Sequence, residues 1–408
     1  MSLKMRKPKV NEVYVEDIKF PIYKKGDTVV IFDADILAFK VSSVCEDKHL
    51  FTHKESGEQY RSKSLKEFKG YLQDEKDHIS KKILKLAQKK TEEGFVWEDK
   101  HEKRLQKLRK MLEDCDEYDD FIREDVQHPE PFSYCVETLN NAQRRVMERF
   151  KTDKCELYIG GGENYRSKVP LKLEYKVSVR SDGVRPIHLT PAKEHLIRVK
   201  GAYKIKGREA DDIVQQRAYE LSKAGVRVIV YSNDKDRLQG WYGEWYNPDN
   251  EEVLILDDYL GEITRDKKGS GLKWLLYQVS QGDMTDGYSP KDWYSKRYGQ
   301  VGFFNDFSDT KTPKEFLEKF VEVHRDRLLN KEIYEWDTWD NRHVKSNWLG
   351  IIEMMFTCAY MKIKTDDDTT FRSLCKEHGV DAGEMIFEVT HVTDVPLEEL
   401  GCVDEKYK

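Results

Sequence analysis

The chain has 408 residues, a length sufficient for a substantial buried core that divides into two or three substructures. Although 36% of the residues are charged, 17 Phe, 22 Tyr and 8 Trp supply apolar bulk, which excludes a largely disordered chain. The seven cysteines form no C-x-x-C pair, no stretch approaches about 18 apolar residues, and the formal net charge is −6. These features predict a cytoplasmic protein without a membrane span, and they do not exclude a nucleic-acid partner.

The first predicted element is a strand over residues 28–32, a β-branched and aromatic run. This composition is typical of a strand that is buried on both faces. Asp33 follows at its carboxyl end, where it can cap a following helix or face a ligand, and Asp35 comes two residues later.

A charged insertion occupies about residues 46–130. Apolar residues recur at three-, four- and seven-residue steps between positions 65 and 86, which predicts an amphipathic helix or a helical hairpin. The basic stretch 101–110 and the acidic stretch 113–120 favour solvated helix faces over an arm that binds nucleic acid.

The middle of the chain alternates predicted strands and helices. Residues 155–159 predict a strand, and the three glycines after it lack the G-K-[ST] of a phosphate loop. Residues 211–224 predict a helix that ends at Gly225, and residues 226–231 predict a second buried strand. This alternation predicts an α/β fold with a mostly parallel central sheet flanked by helices, whose ligands bind beyond the carboxyl ends of the strands.

The last part of the chain is predicted to be helical. Residues 272–279 predict an apolar helix that Gly282 interrupts just before Asp283. Beyond it, apolar residues at helical spacing predict a helical C-terminal region over residues 291–408. The predicted domain organisation is therefore an α/β domain over residues 1–290, with the charged helical insertion, followed by this region.

Four acidic clusters follow predicted strands or turns: FDAD, READD, SNDKD and GDMTD. Each cluster alone is also explained by a helix cap, an acidic first helical turn or an ordinary turn. Carboxylates gathered in one pocket repel one another, and divalent cations relieve that repulsion. Hard cations prefer oxygen ligands, and two ions about 4 Å apart can promote phosphodiester hydrolysis without a protein nucleophile. The clusters together therefore predict one metal site.

In this order, the motifs FDADILAF, READDIV, YSNDKDR and GDMTDGY resemble the 5′-nuclease superfamily. This superfamily includes flap endonucleases and the 5′-nuclease domain of bacterial DNA polymerase I, and the pattern is most similar to bacteriophage 5′-3′ exonucleases with RNase H activity. The resemblance spans roughly residues 27 to 290. It implies a PIN-like α/β nuclease core and metal-dependent hydrolysis of DNA, with RNA–DNA hybrids as further candidate substrates, in primer removal, DNA degradation or recombination.

The same resemblance implies a set of metal ligands for two Mg²⁺ or Mn²⁺ ions, with no organic cofactor. Asp33 and Asp234 are expected to be central to catalysis, and Asp35 belongs to the first motif without a firm role. The implied first-metal group is Asp33, Glu209 and Asp211 with Asp212 beside them, and the second-metal group is Asp234, Asp236, Asp283 and Asp286. DNA is the expected partner, other replication proteins are candidates, and a phage-encoded chain would act in the host cytoplasm.

A basic segment of the family, carrying F-R followed by Y-K-x-x-R, forms a clamp over the metals. Tyr165, Arg166, Tyr175, Lys176 and Arg180 match it with one extra residue before the last arginine, so Arg166 and Lys176 are expected to be catalytic. Lysine and arginine can hold a phosphate and tyrosine can stack on an unpaired base, which makes all five candidates for nucleic-acid binding. The alternative is that the two cations are ordinary surface residues.

Two departures from the family pattern stand out. Many relatives have an aspartate a few residues before the F-R pair, whereas this chain has Gly161, Gly162 and Glu163. After the last acidic motif, the glycine-rich duplex-binding hairpin of the relatives is reduced to Gly299 and Gly302. The first-metal shell and the duplex contacts are therefore expected to differ from those of the relatives.

Three other functions fit parts of the pattern. A haloacid-dehalogenase-like phosphatase would use Asp33, Asp35, Ser232 and Asp283, but its late G-D follows a strand and READD has no role in it. PIN-type endoribonucleases use similar acids but are usually shorter. A non-catalytic nucleic-acid-binding replication protein could also retain an acidic pocket.

Overall fold

The computed structural model describes residues 12–14, 18–91, 96–176, 184–266, 268–328 and 331–391. The chain divides into two compact units. The main unit comprises residues 1–37, 143–184 and 193–408, and the inserted unit comprises residues 38–142 and 185–192. Residues 291–408 thus belong to the same unit as the N-terminal strands.

The described residues form thirteen strands. They are β1 (Glu12–Tyr14), β2 (Thr28–Asp33), β3 (Glu46–His53), β4 (Gln59–Ser62), β5 (Phe121–Pro129), β6 (Cys155–Asn164), β7 (Tyr203–Gly207), β8 (Arg227–Tyr231), β9 (Glu244–Asn247), β10 (Glu252–Ile255), β11 (Tyr334–Asp337), β12 (Arg342–Ser346) and β13 (Phe387–His391).

They also form eleven α-helices. They are α1 (Ala34–Val44), α2 (Leu65–Lys89), α3 (Asp99–Glu113), α4 (Phe132–Arg149), α5 (Leu189–Lys200), α6 (Ala210–Lys223), α7 (Gly271–Gln281), α8 (Gln300–Phe307), α9 (Pro313–Arg327), α10 (Trp348–Ala359) and α11 (Phe371–Glu377). None of these helices is both long and apolar enough to cross a membrane.

A seven-stranded sheet lies at the centre of the main unit, in the order β1-β7-β6-β2-β8-β9-β10. All neighbouring pairs are parallel except β9 and β10. The predicted α/β fold with a mostly parallel sheet is therefore confirmed. Because parallel strands point the same way, β2, β6, β7 and β8 all end at one edge of the sheet.

The predicted strands and helices around the acidic motifs are present. Residues 29–32 of β2 are fully buried, as expected for a strand covered on both faces. Helix α6 ends just before Gly225, which has a φ of 75°, and α7 ends at Gly282, which has a φ of 70°. Positive φ favours glycine, so both residues end their helices as the sequence indicates.

The charged insertion and the C-terminal region contain the predicted helices, and each also contains strands that the sequence did not predict. The insertion contains helices α2 and α3, but also the antiparallel sheet β4-β3-β5. The C-terminal region contains the antiparallel sheet β11-β12-β13 beside its helices. These strands are largely polar. In β5 only Phe121 is buried, so the apolar alternation that identifies a strand is almost absent there.

Each unit has its own apolar core. In the inserted unit, Phe51, Phe68, Leu72 and Phe121 pack together, and the rings of Phe51 and Phe68 are stacked with centroids 3.6 Å apart. In the main unit, one core packs α6 against the sheet, and a second joins α7 to the C-terminal helices. The acidic motifs lie at the ends of elements that these two cores hold.

Candidate metal centre

The four acidic clusters come together in the main unit. Asp33 is the last residue of β2, and Glu209 is the N-cap of α6, just after β7. Asp234 begins the short 3-10 turn that follows β8, and Asp283 comes two residues after α7. Three of the four motifs therefore follow the carboxyl ends of parallel strands as predicted, and the fourth follows helix α7.

The clusters line two adjoining cavities. The acid cavity, of about 190 Å³, is lined by residues including Tyr175, Lys176, Glu209, Asp211, Asp234, Asp236, Asp283, Thr285 and Asp286. The strand-edge cavity, of about 300 Å³, is lined by residues including Asp33, Asp35, Gly160, Asn164, Lys176, Glu209, Asp211 and Asp234. Four of these residues line both cavities, so the site is continuous.

The group expected to hold the second metal is rich in mutually repelling carboxylates. Burial, then the neighbouring Asp211, raises the pKa of Asp234 to about 6. Burial, followed by repulsion from Asp234, Asp286 and Asp283, raises the pKa of Asp236 well above its usual value. A site that destabilises its own anions in this way favours a bound cation.

Short hydrogen bonds orient these carboxylates. The Asp234 Oδ1 accepts from the backbone N–H of Asp236 at 2.9 Å, and the Asp283 Oδ1 accepts from that of Thr285 at 2.6 Å. The side-chain amide of Gln278 donates to Asp236. Within the described part of the chain, no Lys or Arg forms an ion pair with Asp234, Asp236 or Asp283.

The group expected to hold the first metal already contains protein cations. The Arg237 guanidinium donates to the Asp211 Oδ1 and to the Asp211 carbonyl oxygen, both at 2.5 Å, and lies 3.9 Å from the Asp33 Oδ2. Burial, then repulsion from Asp211, raises the pKa of Asp33 well above its usual value. Burial would raise the pKa of Asp211, but Arg237 and Lys176 hold it below its usual value.

Arg166 and Asp212 form a buried ion pair. Arg166 Nη1 and Nη2 donate to the two Asp212 carboxylate oxygens at 3.0 and 2.8 Å, and Nη1 also donates to Glu209 at 2.9 Å. The remaining bonds go to the carbonyl oxygens of Cys358 and Tyr360. With exposures of 2% and 0%, both side chains are buried, and these bonds engage Arg166 within the protein although it also lines the acid cavity. The expected contacts of Arg166 with a phosphate and of Asp212 with an ion stay predictions.

The two tyrosines of the basic segment are also engaged within the protein. The Tyr175 hydroxyl donates to Asp286 at 2.8 Å and its ring belongs to the apolar core, so the expected stacking on a base does not fit its position. The Tyr165 hydroxyl donates to the Tyr360 carbonyl oxygen at 3.2 Å, and the Lys362 ammonium lies 4.6 Å from the Tyr165 ring centroid. Arg180 lies outside the described residues.

Lys176 is the basic residue that faces the site as expected. Its Nζ donates to Glu209 at 2.7 Å and lies 3.7 Å from the Asp286 Oδ2, and its side chain is 33% exposed. Burial lowers the pKa of this lysine, but Glu209, Asp286 and Asp211 outweigh burial and raise it. Its φ of 60° is unusual for a residue with a side chain.

Asp35 contacts a backbone N–H and a lysine rather than another acid of the site. Its Oδ2 accepts from the backbone N–H of Gly160 at 2.7 Å, and its Oδ1 lies 2.5 Å from the Lys193 Nζ. Sequence reasoning missed Lys193, Asn164 and above all Arg237 as members of the site. Arg237 directly follows the D-x-D of the third motif, but nothing in the sequence shows that its side chain turns inward.

The donor set decides where a metal fits. Among the described residues, no three His, Cys, Asp or Glu side chains are already arranged around one point as metal ligands. Asp234, Asp236, Asp283 and Asp286 nevertheless offer only oxygen donors to the acid cavity, which suits a hard divalent cation. Asp33 and Asp211 do not fit an ion in the same way, because the Arg237 guanidinium contacts them.

No protein-family model and no curated protein matches this sequence. The fold is similar to solved structures from bacteriophage T5. One is its 5′-exonuclease with bound zinc, with a TM-score of 0.35 and 12% identity; the match covers 54% of this chain and 75% of that chain. Another is its D15 protein co-crystallised with metal ions, with a TM-score of 0.37 and 11% identity; the match covers 61% of this chain and 90% of that chain. A third is a variant D15 flap endonuclease with DNA and metal ions, with a TM-score of 0.38 and 12% identity; the match covers 61% of this chain and 90% of that chain.

Proposed function

We propose that this chain is a divalent-metal-dependent nuclease that hydrolyses phosphodiester bonds in DNA. The observation that carries the proposal is the convergence of four separate acidic motifs on two adjoining cavities at one edge of a parallel sheet. When bound, Mg²⁺ or Mn²⁺ supplies a Lewis acid for a phosphate oxygen and lowers the pKa of its bound water.

Different residues of the chain would bind the metal ion and the phosphate. Asp234, Asp236 and Asp283 would hold the ion, and Asp286 is oriented for the same purpose by the Tyr175 hydroxyl. Lys176 is a cation at the cavity wall that can hold the scissile phosphate.

Within this class, we propose the 5′-3′ exonuclease or flap-endonuclease activity that the motifs imply. RNA–DNA hybrids are the second candidate substrate, and primer removal or DNA degradation in replication and recombination is the corresponding role. The motif order supports this choice over other metal-dependent nucleases, since the four motifs follow one another as they do in the 5′-nuclease superfamily.

The phosphatase alternative is less compatible with the geometry. Its nucleophile would be Asp33, which is 3% exposed and accepts from the backbone N–H of Ile36 at 3.3 Å. Its late G-D would follow a strand, whereas Asp283 follows helix α7. The order of these elements therefore fits a haloacid-dehalogenase-like phosphatase less well than a nuclease.

The first test is a substrate panel. End-labelled single-stranded, duplex, flap and RNA–DNA hybrid substrates are incubated with the purified chain in Mg²⁺, in Mn²⁺ and in EDTA. We expect cleavage that requires the ion and starts at 5′ ends or flaps. Hydrolysis of a small phosphate ester without cleavage of any nucleic acid would instead support the phosphatase.

The second test removes one proposed metal ligand. Asp234→Ala is expected to lower turnover at least about 100-fold while DNA affinity is retained. Asp257→Ala removes an exposed acid of the same unit and is the matched control, with turnover unchanged. Equal turnover of Asp234→Ala and the control would exclude the proposed site, and DNA binding without cleavage in the wild type would favour a non-catalytic role.

A further inference from the structure

We infer that the Arg237 guanidinium is the built-in cation of the first acidic group, so that the site takes a single divalent ion, held by Asp234, Asp236, Asp283 and Asp286. This inference rests on the proposed function, because it concerns the metal content of the same site. It departs from the two ions that the motif resemblance implies.

Burial and the hydrogen bonds of its guanidinium group fix the position of Arg237. Its residue is 1% exposed and lies in the 3-10 turn Lys235–Gln239, directly after the two acids of the third motif. Nη1 donates to the Asp211 carbonyl oxygen and Nη2 to the Asp211 Oδ1, both at 2.5 Å. Two bonds from one planar group to one residue leave the guanidinium little freedom to move aside.

The contacts of Arg237 are those that an ion would make. The guanidinium joins Asp33, at the end of β2, to Asp211, in the first turn of α6, with the longer separation at 3.9 Å. These are two of the three carboxylates expected to hold a first ion. A divalent cation placed between them would lie against a buried positive charge that cannot be neutralised, because arginine does not deprotonate in proteins.

The third carboxylate of this group, Glu209, is also paired with protein cations. Glu209 accepts from Arg166 at 2.9 Å and from Lys176 at 2.7 Å. Each acid of the first group, Asp33, Asp211 and Glu209, therefore lies within ion-pair distance of a protein cation. Asp234, Asp236 and Asp283 differ, since no Lys or Arg of the described residues pairs with them.

The two groups thus differ in the kind of cation that completes them. Counterions supplied by the chain complete the first group. In the second group only Asp286 lies near a protein cation, Lys176 at 3.7 Å, so an exchangeable ion is needed to complete it. One consequence is that Arg237 holds β2 and α6 together in the absence of metal, so the fold around the site does not depend on the ion.

The test counts bound ions directly. Mn²⁺ binding to the intact chain is measured by isothermal titration calorimetry and by the loss of the free Mn²⁺ electron paramagnetic resonance signal, without substrate. We expect one ion per wild-type chain and two per chain for Arg237→Gln, which frees Asp33 and Asp211 while keeping a polar side chain. Two ions in the wild type, or one in a folded Arg237→Gln chain, would overturn the inference.

A second variant keeps the inference testable where Arg237→Gln fails to fold. The double change Asp33→Asn and Asp211→Asn keeps the shapes of both side chains and should leave the stoichiometry at one, because neither residue holds the ion. Loss of that ion would overturn the inference. DNA cleavage by a wild-type chain that binds two ions would reject the inference and leave the proposed function standing. One bound ion without DNA cleavage would support the inference and reject the proposed function.

Discussion

Arg166 is 2% exposed and donates to Glu209, to Asp212 and to two backbone carbonyl oxygens. Burial lowers the pKa of its guanidinium, but Asp212, Tyr165 and Glu209 outweigh burial and raise it. A buried charge with all of these partners is stabilised only while they are present. Arg166 therefore positions Glu209 and ties the 3-10 turn after β6 to α6 and to the end of α10.

The first prediction follows from this network. Arg166→Ala leaves Asp212 as an uncompensated buried charge and should lower the free energy of unfolding by about 3–5 kcal/mol. Urea unfolding followed by circular dichroism measures the change. The matched variant is Lys176→Ala, whose side chain is 33% exposed and which should change stability by less than about 1 kcal/mol while strongly lowering turnover. A stable Arg166→Ala chain with lost turnover would support the predicted contact of Arg166 with a phosphate.

At this scale the sequence predicts which acids meet but not which cations meet them. The order and spacing of the acidic motifs are visible as residue types, and the carboxyl ends of parallel strands must converge. Arg166 and Arg237 have the same residue type as a phosphate-binding arginine. Whether such a side chain points into the protein or out of it depends on packing between elements that are distant in the sequence, so their inward direction could not be predicted.

The ends of the elements determine the geometry of the acidic clusters. Gly282, the C-cap of α7, has a φ of 70° and directly precedes Asp283. A Cβ at this position would lie 2.4 Å from the Tyr288 carbonyl oxygen and 2.5 Å from the Ser289 Cα. Tyr288 also pairs with Asp283 through the backbone, so any movement that relieves this clash displaces Asp283.

The second prediction is that Gly282→Ala damages stability and metal affinity together. We expect the free energy of unfolding to fall by roughly 1–3 kcal/mol, since an L-residue at this φ is strained and also clashes with backbone atoms. Mn²⁺ affinity measured by calorimetry should fall because Asp283 shifts. Gly70→Ala, inside α2 with open space where the added Cβ would lie, should instead leave Mn²⁺ affinity unchanged and stabilise its helix by up to about 1 kcal/mol. Unchanged Mn²⁺ affinity in Gly282→Ala would show that Asp283 is not a ligand.

The elements that the sequence predicts well are those buried on both faces or along a wide apolar stripe. Strand β2 and helix α10 are both almost entirely buried, so their residue types alone define them. Strands β3 and β5 are different, because only Phe51 and Phe121 give them clear apolar anchors. Their pairing is specified by backbone hydrogen bonds between segments about 70 residues apart, a signal that short-range periodicity does not contain.

At the scale of the whole molecule, the stability of the main unit depends on pH through a histidine, His324, that is buried among its C-terminal helices. His324 is fully buried, and its ring stacks on Phe320 with centroids 3.8 Å apart. Its Nδ1 lies 2.9 Å from the Phe320 carbonyl oxygen, and its Nε2 has no hydrogen-bond partner among the described residues. Burial lowers the pKa of His324 to about 3.

The third prediction is acid sensitivity from this side chain. Because the pKa is lower in the folded state than in the unfolded state, the unfolded state binds more protons between about pH 6.5 and pH 3. Stability should therefore fall as the pH decreases through this window, by up to about 1.4 kcal/mol per pH unit. His324→Phe should reduce the slope in urea titrations at pH 7, 5.5 and 4.5, and His391→Gln, at an exposed position, should not. Identical slopes for wild type and His324→Phe would assign the acid sensitivity to other groups.

The division into two units, each with its own core, leads to the fourth prediction. Phe68 is 2% exposed, stacks on Phe51 and meets the Phe121 ring edge-on with centroids 5.0 Å apart, all within the inserted unit. Phe68→Ala should cost the inserted unit about 3–5 kcal/mol through lost burial and a new cavity. Hydrogen exchange read by mass spectrometry should then show lost protection in α2 and β3, with β2, β8 and Mn²⁺ affinity unchanged.

Phe316→Ala, a fully buried change in the core of the main unit, is the matched comparison and should lower protection in α7 and α9 instead. Each variant therefore reports on one core, and the metal site should follow the main unit alone. If Phe68→Ala lowers Mn²⁺ affinity in proportion to its loss of protection, the inserted unit is energetically part of the metal site. In that case residues 46–130 support the chemistry directly, and the two units fold and act as one.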